Sequence, residues 1–399
     1  MINPSAPGWI DKFFVDQKSI KTIDLENVDL FYESIRKTGF IYGHIISFST
    51  ESKTNLVGWL NDEISKAALL NALYQIFKLN ADDKSTNNFL NQAVSFYNEM
   101  NPQGFTLFKK VWSSTSPALN LEKIIDDRVQ TNDNIISKNF SHIVTNALLF
   151  VDILAFQHYL NEGKIPEKYL KKLEETIVSI VALALRTKSN KSQHDDLLIK
   201  LFEASVRYSK FSKVNIRNLD ALELPYFENP LERYYLIDMA GLAMWSDGKV
   251  ENDEAYFLYS LAEIMTVSDD FVNKSITATD AFIRKYKKEI PYFNYSNPVK
   301  HFYDQTTQMV VTLIKRNQKR LAKEISESKE LMVLLAYSTQ RDLDKEEKKK
   351  VKKQLLDICK TVPSLTIFLI PGGSLLLPIL IKFIPQLLPS SFNENLEDE

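Results

Sequence analysis

The chain has 399 residues, of which 44% are hydrophobic and 25% are charged, and its formal net charge is -2 at pH 7. This length allows a substantial core and two or three domains, while the balanced charge excludes a chain-wide basic field for binding nucleic acid. The single cysteine, Cys359, excludes an intrachain disulfide and a cysteine-based zinc site, and we interpret it as a small apolar residue in a reducing compartment.

The first residues predict a protein body that stays in the cytoplasm. MINPSAPGWIDKFF has no basic region followed by an apolar run, so no signal peptide is expected. The sequence also contains no Walker loop, GxGxxG, HExxH or GxSxG, and its five histidines are scattered. We therefore expect no enzyme activity, no catalytic residues, no cofactor and no DNA partner.

Apolar residues recur at helical spacing in one segment after another, which predicts an all-α multi-helix bundle or array. One example is the series Leu170, Leu173 and Ile177. Only ten glycines occur, and no strand pattern of period two competes with the helical one. The predicted helices cover residues 27–47, 54–79, 86–99, 117–130, 136–162, 167–187, 192–211, 229–246, 252–266, 269–288, 297–325, 328–339 and 344–361.

Two loop-forming stretches divide the predicted chain into three parts. Pro225 and Pro230 bracket the first stretch, and Pro291 and Pro298 bracket the second. The parts are an N-terminal helical domain at 1–215, a helical segment at 229–290 and a C-terminal region at 297–399. The first part carries no recognisable motif, although its GFIYG sequence at 39–43 indicates a loop or a weak helix.

The middle part has the pattern of a helix, an acidic turn and a second helix. Asp247 and Gly248 form the predicted turn, and Asn252 is the predicted cap of the next helix, where the dipole favours carboxylates. We interpret these acids as a structural turn and cap; the alternative is a divalent-cation site without EF-hand spacing. The candidate metal ligands are Asp247, Glu251, Asp253 and Glu254. The segment resembles the TerB-like helical family, whose acidic Asp-Gly turn and downstream glutamate are matched here by Asp247, Gly248 and Glu254.

The third part predicts an amphipathic helix that begins at a capping box. Asp344 and Glu347 have the spacing of that box, and an apolar stripe follows that consists of Val351, Leu355, Ile358 and Val362. The rest of the helix carries a lysine cluster, which consists of Lys345, Lys348, Lys349, Lys350, Lys352 and Lys353. Such a cluster beside an apolar tract binds anionic headgroups and keeps its flank cytoplasmic, whereas alone it is commonly just solvated. Without interleaved aromatic residues it is weak evidence for RNA binding.

An apolar tract broken by prolines follows the lysine cluster at residues 362–388. Its only charge is Lys382, and its length suffices for a bilayer. Its prolines, however, kink or end a helix. The tract is therefore either a membrane element or a buried hairpin of short helices.

The sequence from Asp357 to Phe392 resembles the membrane-proximal signature of the leucine-zipper, EF-hand and transmembrane (LETM) family. The matching positions fall in register without a gap: Asp357, Lys360, Pro363, Pro371, Leu376, Leu377, Pro378, Lys382, Phe383, Pro385, Leu388, Pro389, Ser390 and Phe392. Together with the TerB-like segment and the NPSAPGWI start, the chain is most similar to the bacterial LETM-related biofilm-associated proteins.

The resemblance implies an inner-membrane protein, and mitochondrial members of the family are linked to cation/proton exchange and to ribosome binding. Where members carry an acid before the LLP motif, this chain has Ser374, which removes the intramembrane carboxylate that exchange needs. The family's soluble ribosome-binding-like domain normally follows the LPSxF motif, whereas this sequence ends seven residues after Phe392.

We therefore favour a noncatalytic helical adaptor that is attached to the inner membrane through the tract. Its expected partners are membrane lipid and the ribosome or another protein complex, and its expected role is to support envelope or biofilm traits. One alternative is a LETM-type cation/proton transport component that acts as a homo-oligomer. The other is a wholly soluble helical interaction protein.

Overall fold

The computed structural model describes residues 2–19, 27–50, 56–100, 116–129, 144, 146–188, 199, 202–203, 218–245, 252–290, 311–341 and 343–361. Over these residues the fold is all-α, as the sequence predicts. The helices are α1 (Trp9–Ser19), α2 (Val28–Lys37), α3 (Asn61–Asn80), α4 (Thr86–Met100), α5 (Pro117–Val129), α6 (Phe150–Glu162), α7 (Tyr169–Thr187), α8 (Pro230–Met244), α9 (Asn252–Ile264), α10 (Asp269–Tyr286), α11 (Gln318–Ser326), α12 (Lys329–Gln340) and α13 (Lys345–Thr361). Two 3₁₀ turns, Leu219–Ala221 and Leu224–Tyr226, precede α8, and residues 311–316 are also helical.

Two predicted helix boundaries are wrong and one helix was not predicted, and a glycine lies next to each of these positions. The predicted helix at 27–47 ends at Lys37, because Gly39 and Gly43 have φ values of 78° and 72°. The helix predicted to begin at residue 54 begins at Asn61, after a turn that contains Gly58 with φ 88°. The sequence pattern predicts no helix at the position of α1, which starts directly after Gly8.

The chain divides into two compact units. The first comprises Met1–Thr54, Ile64–Thr131 and Ser141–Asn294, and the second comprises Asn55–Glu63, Asn132–Phe140 and Tyr295–Glu399. The division of the chain into parts at 1–215, 229–290 and 297–399 stays a prediction.

Helix α8 lies at the centre of the first unit, where it packs against α2, α7, α9 and α10. The residues predicted to form its apolar face are all buried: Leu236, Met239, Ala240, Ala243 and Met244. Ile237, on another side of the helix, is buried as well. Neighbours on several sides therefore make α8 apolar around most of its circumference, as expected for a core helix.

Helix α1 is held by aromatic packing and by a cap from a distant helix. The Phe14 ring packs edge-on against Tyr74 and Phe89, with centroids 4.9 and 5.8 Å away. The Glu122 carboxylate of α5 accepts hydrogen bonds from the backbone N–H groups of Gly8 and Ile10, both at 2.9 Å. Burial raises the pKa of Glu122, although these N–H groups favour its charged form. The carboxylate thus satisfies N–H groups that a helix start leaves open.

A buried ion pair joins α2, α8 and α10 in the first unit. The Asp238 carboxylate accepts from Arg36 Nε at 2.9 Å and Nη2 at 3.1 Å, and from the Tyr32 hydroxyl at 2.8 Å. The Ser275 hydroxyl is also hydrogen-bonded to it. Although burial disfavours the charged guanidinium, Asp238 raises the pKa of Arg36. The ion pair therefore lies within the core of the first unit.

A second buried pair of the same kind joins α4, α5 and α6. The Asp152 carboxylate accepts from Arg128 Nε at 2.8 Å and from the Tyr97 hydroxyl at 2.9 Å, and Arg128 Nη2 donates to its other oxygen. Asp152 has no exposed surface. Both aspartates look like catalytic acids in isolation, but saturation by arginine and tyrosine makes them structural groups.

His158 bridges two carboxylates where α6, α7 and α8 meet. Its Nε2 lies 2.8 Å from Glu232 Oε1 and its Nδ1 lies 3.0 Å from Glu162 Oε1. Glu232 also accepts from the Tyr169 hydroxyl at 2.7 Å and from the Asn229 N–H at 3.1 Å, which completes a capping box at the start of α8. Burial lowers the pKa of His158, but its bonds to Glu232 and Glu162 outweigh burial and raise it.

We expect the free energy of unfolding to fall as the pH rises through the pKa of folded His158. The pKa of folded His158 lies above the ordinary value of 6.5. The contribution of protonated His158 to stability is therefore complete below pH 6.5 and is lost as the pH rises from 6.5 through the folded pKa. Replacing His158 with glutamine removes the titration, so the wild type should exceed this variant by more at pH 6 than at pH 8. Urea unfolding at several pH values measures the difference, and a constant gap between the two proteins would contradict it.

Candidate functional site

Helix α13 of the second unit begins at the predicted capping box. The Glu347 N–H donates to Asp344 Oδ1 at 2.8 Å, and the Asp344 N–H donates to Glu347 Oε2 at 2.9 Å. Both reciprocal bonds of the motif are therefore present, which confirms the prediction. Arg341, just after α12, adds a fork of two bonds to Glu347 at 2.8 and 2.6 Å. The hydrogen bonds from the Arg341 guanidinium and from the Asp344 backbone N–H lower the pKa of Glu347 to about 2.

The predicted apolar stripe of α13 faces the helices of its own unit. Val351, Leu355 and Ile358 are buried, and α13 packs against α11 and α12, while Val362 lies outside the described residues. Cys359 is also buried, and burial raises the pKa of its thiol to about 12. This agrees with its interpretation as a small apolar residue. The stripe fixes which side of α13 remains open to solvent.

All six residues of the lysine cluster are exposed. Successive helical residues rotate by about 100°, so five lysines fall within roughly 100° of the circumference of α13. This basic face consists of Lys345, Lys349, Lys352, Lys353 and Lys360. Lys348 and Lys350 flank it, and the Lys350 ammonium donates to Glu330 of α12 at 2.9 Å. Lys360 also contacts Asp357 at 2.6 Å, so part of the positive charge is neutralised locally.

The basic face lies in a part of the chain with a strong positive excess. Residues 311–361 contain 14 Lys and Arg against 8 Asp and Glu, a net charge of +6 in a chain whose total is -2. Charge is thus segregated along the sequence. A local positive field of this kind attracts polyanions even though the whole chain is near neutrality.

An aromatic side chain that the sequence analysis missed lies near the start of α13. Tyr337 of α12 is 43% exposed, and the Arg341 guanidinium lies over its ring, 5.0 Å from the centroid. The basic region therefore includes an aromatic ring beside a cation, although no aromatic residue interleaves with the lysines in the sequence. Helical spacing of four residues could have placed Tyr337 beside Arg341, but the position of this pair at the start of α13 follows from the turn between α12 and α13.

Most of the LETM-like motif falls outside the described residues. Asp357 and Lys360 are described, while the positions from Pro363 to Phe392 and the apolar tract at 362–388 are not. The predicted transmembrane helix lies in this tract. Among the helices of the described ranges, none combines the length and the apolar character that crossing a bilayer requires.

The predicted metal ligands are described only in part. Asp247 and Glu251 lie outside the described residues, Asp253 is in α9 with its side chain undescribed, and Glu254 is buried in the first turn of α9. In the described part of the chain, no three His, Cys, Asp or Glu side chains are grouped so as to hold a metal ion. The cation site stays a prediction.

Comparison with known families identifies the same end of the chain. Residues 343–399 match the family model described as LETM1-like, RBD. The match starts at the N-terminus of α13 and includes the lysine cluster and every position of the LETM-like motif, and it supports a LETM-type relationship for this region. No curated protein and no solved structure matches the chain.

Proposed function

We propose that the chain is a noncatalytic helical adaptor of LETM type, whose C-terminal unit binds the ribosome and whose apolar tract attaches it to the inner membrane. The observation that carries the proposal is that the match to a LETM1-like RBD begins at α13, the helix that bears the basic face. The matched family model is that of a ribosome-binding domain. A ribosome exposes the phosphates of its RNA, which exposed lysines can bind.

The packing of α13 supports this proposal. The apolar stripe of α13 packs against α11 and α12. The lysines on the other side of the helix are therefore exposed to solvent, where a partner can contact them. The exposed pair of Tyr337 and Arg341 adds a ring and a cation of the kind that RNA-binding surfaces use. Two carboxylates near the start of α13 form ion pairs within the unit: Glu347 pairs with Arg341, and Glu330 pairs with Lys350.

The membrane part of the proposal rests on the sequence of the tract. Residues 362–388 follow α13 directly, and juxtamembrane lysines favour a cytoplasmic location for the helix that carries them. The TerB-like segment at 229–290 and a contribution to envelope or biofilm traits belong to the same proposal and rest on sequence resemblance.

Fractionation of the full-length protein beside a version truncated after Lys360 tests the membrane part. The full chain should stay in the membrane fraction through carbonate washing, and the truncated chain should be released. Cosedimentation of both proteins with ribosomes tests the other part. Equal solubility of both versions together with no ribosome association would contradict the proposal.

Charge removal on the basic face tests how the ribosome is bound. We expect the quadruple variant Lys345→Gln, Lys349→Gln, Lys352→Gln and Lys353→Gln to lower the affinity for ribosomes by about tenfold or more at physiological salt. Every phosphate that the variant no longer binds should also reduce the salt dependence of binding by about 0.7–0.9 in log–log slope. Glutamine keeps the helix propensity of lysine, so α13 itself should persist.

The matched control removes four exposed lysines from the first unit: Lys12, Lys123, Lys164 and Lys285. It changes the net charge by the same amount, so its affinity should stay within about twofold of the wild type if contacts of α13, and not total charge, govern binding. Equal losses in the two variants would refute a role for the basic face.

A further inference from the structure

A partly exposed apolar tip lies in the second unit, at residues 56–60. Its sequence is LVGWL, and none of the five residues is buried. Val57 is 87% exposed, and Leu56, Trp59 and Leu60 are half-buried. Val57 is therefore the one fully exposed large apolar residue of the tip, and three partly exposed apolar residues surround it.

Hydrogen bonds hold this tip in a defined shape. The Trp59 N–H donates to the Leu56 carbonyl at 3.0 Å, and Gly58 has a φ of 88°, which together form a tight turn with Val57 and Gly58 at its end. The Leu60 N–H donates to Glu63 Oε2 at 3.0 Å. The tip therefore projects from the start of α3 in a fixed conformation.

An ion pair fastens the base of the tip to the basic part of the second unit. The Glu63 carboxylate is 1% exposed, and Arg316 Nη1 lies 2.6 and 2.5 Å from its two oxygens. The negative charge of Glu63 is thus neutralised beneath the tip. Asp62, which is half-buried, is the remaining carboxylate beside it. Residues 311–361 of the same unit carry the net charge of +6 described above.

We propose that the tip at 56–60 inserts into the interfacial layer of an anionic bilayer and forms a membrane contact separate from the apolar tract. Tryptophan favours the headgroup level, valine and leucine favour the acyl boundary, and the net positive charge of residues 311–361, to which Arg316 at the base of the tip belongs, attracts anionic lipid. A second protein is a poorer occupant, because five residues cover far less than the roughly 800 Å² per partner of a stable interface.

Quenching of Trp59 by lipids with brominated acyl chains tests this contact in the full-length protein. Emission from Trp59 is obtained as the difference between the wild type and the variant Trp59→Phe; of the other tryptophans, Trp9 and Trp245 are buried. With vesicles of phosphatidylglycerol and phosphatidylcholine, we expect Trp59 to be quenched. With phosphatidylcholine alone the quenching should be weaker, and in Val57→Asp it should be lost.

The control is Val15→Asp, which places the same charge at an exposed valine of the first unit. Val15 is 67% exposed in α1, so this variant should keep the full Trp59 quenching. Thermal melts of both variants should match the wild type, because neither valine is in the core.

The outcome separates this contact from the proposed attachment through the tract. Full-length protein that floats with vesicles while Trp59 is not quenched would overturn the tip contact and leave the tract attachment intact. Quenched Trp59 in protein that carbonate extracts would support the tip and argue against the tract. Dimerisation that Val57→Asp abolishes, without quenching in vesicles, would identify a second copy as the occupant and overturn the proposal.

Discussion

Replacing Asp238 with asparagine is expected to lower the free energy of unfolding by about 3–5 kcal/mol, because the buried Arg36 guanidinium loses its negative partner. Asp238 is fully buried and accepts from Arg36, Tyr32 and Ser275. Asparagine has a similar shape, but it replaces one acceptor oxygen with an N–H₂ donor that faces the arginine. Urea unfolding followed by circular dichroism measures the loss.

A surface pair provides the control for this prediction. Lys274 and Asp270 of α10 lie 2.7 Å apart and are mostly exposed, so Asp270→Asn should cost no more than about 1 kcal/mol. The double variant Arg36→Met with Asp238→Leu removes both charges and should recover part of the loss. Similar small losses for Asp238→Asn and Asp270→Asn would contradict a charged pair in the core.

The helical fold could be predicted because its causes are local in the sequence. Helical periodicity marks α7, whose Leu170, Leu173 and Ile177 are buried as expected. The capping box of α13 needs only Asp344 and Glu347 at the right spacing, and both of its hydrogen bonds form. Signals of this kind lie within one turn of helix, so they can be identified without knowledge of the tertiary structure.

The errors in the fold arise where distant residues decide the local structure. The first turn of α1 depends on Glu122, which is more than 100 positions away and supplies the bonds to Gly8 and Ile10. The sequence pattern does not predict this helix start, because the cap is supplied by a distant helix. Similarly, the GFIYG sequence at 39–43 indicates a loop or a weak helix, but only the positive φ values of Gly39 and Gly43 show that α2 ends before them.

The candidate site likewise has features that local sequence signals predict and features that depend on tertiary structure. The exposure of the lysine cluster follows from the apolar stripe, because burying Val351 and Leu355 against other helices leaves the lysines in solvent. The contact of Tyr337 with Arg341 follows from their spacing of four residues, but its place beside the capping box of α13 depends on the turn between α12 and α13, which the sequence pattern does not give. The sequence pattern assigns residues 56–60 to the predicted helix at 54–79, because apolar residues alone do not distinguish a helix from a turn at the surface.

Replacing Gly39 with alanine is expected to lower the free energy of unfolding through both backbone strain and close contacts. Its φ of 78° costs an added Cβ about 1–2 kcal/mol, and that Cβ would lie 2.1 Å from the His44 carbonyl oxygen and 2.6 Å from Phe282 Cζ. Relieving these contacts requires movement of the backbone at His44 and of a ring in α10, which adds about 1–3 kcal/mol. We therefore expect a total loss of about 2–5 kcal/mol in urea unfolding.

Gly163→Ala separates the two causes, because Gly163 shares the conformation of Gly39 but not its surroundings. It follows α6 with a φ of 73°, and nothing lies within 4 Å of an added Cβ. Its loss should therefore be limited to the backbone cost of about 1–2 kcal/mol. If the two alanine variants lose stability equally, backbone conformation alone explains the glycine at position 39, and the close approach of His44 and Phe282 makes no contribution.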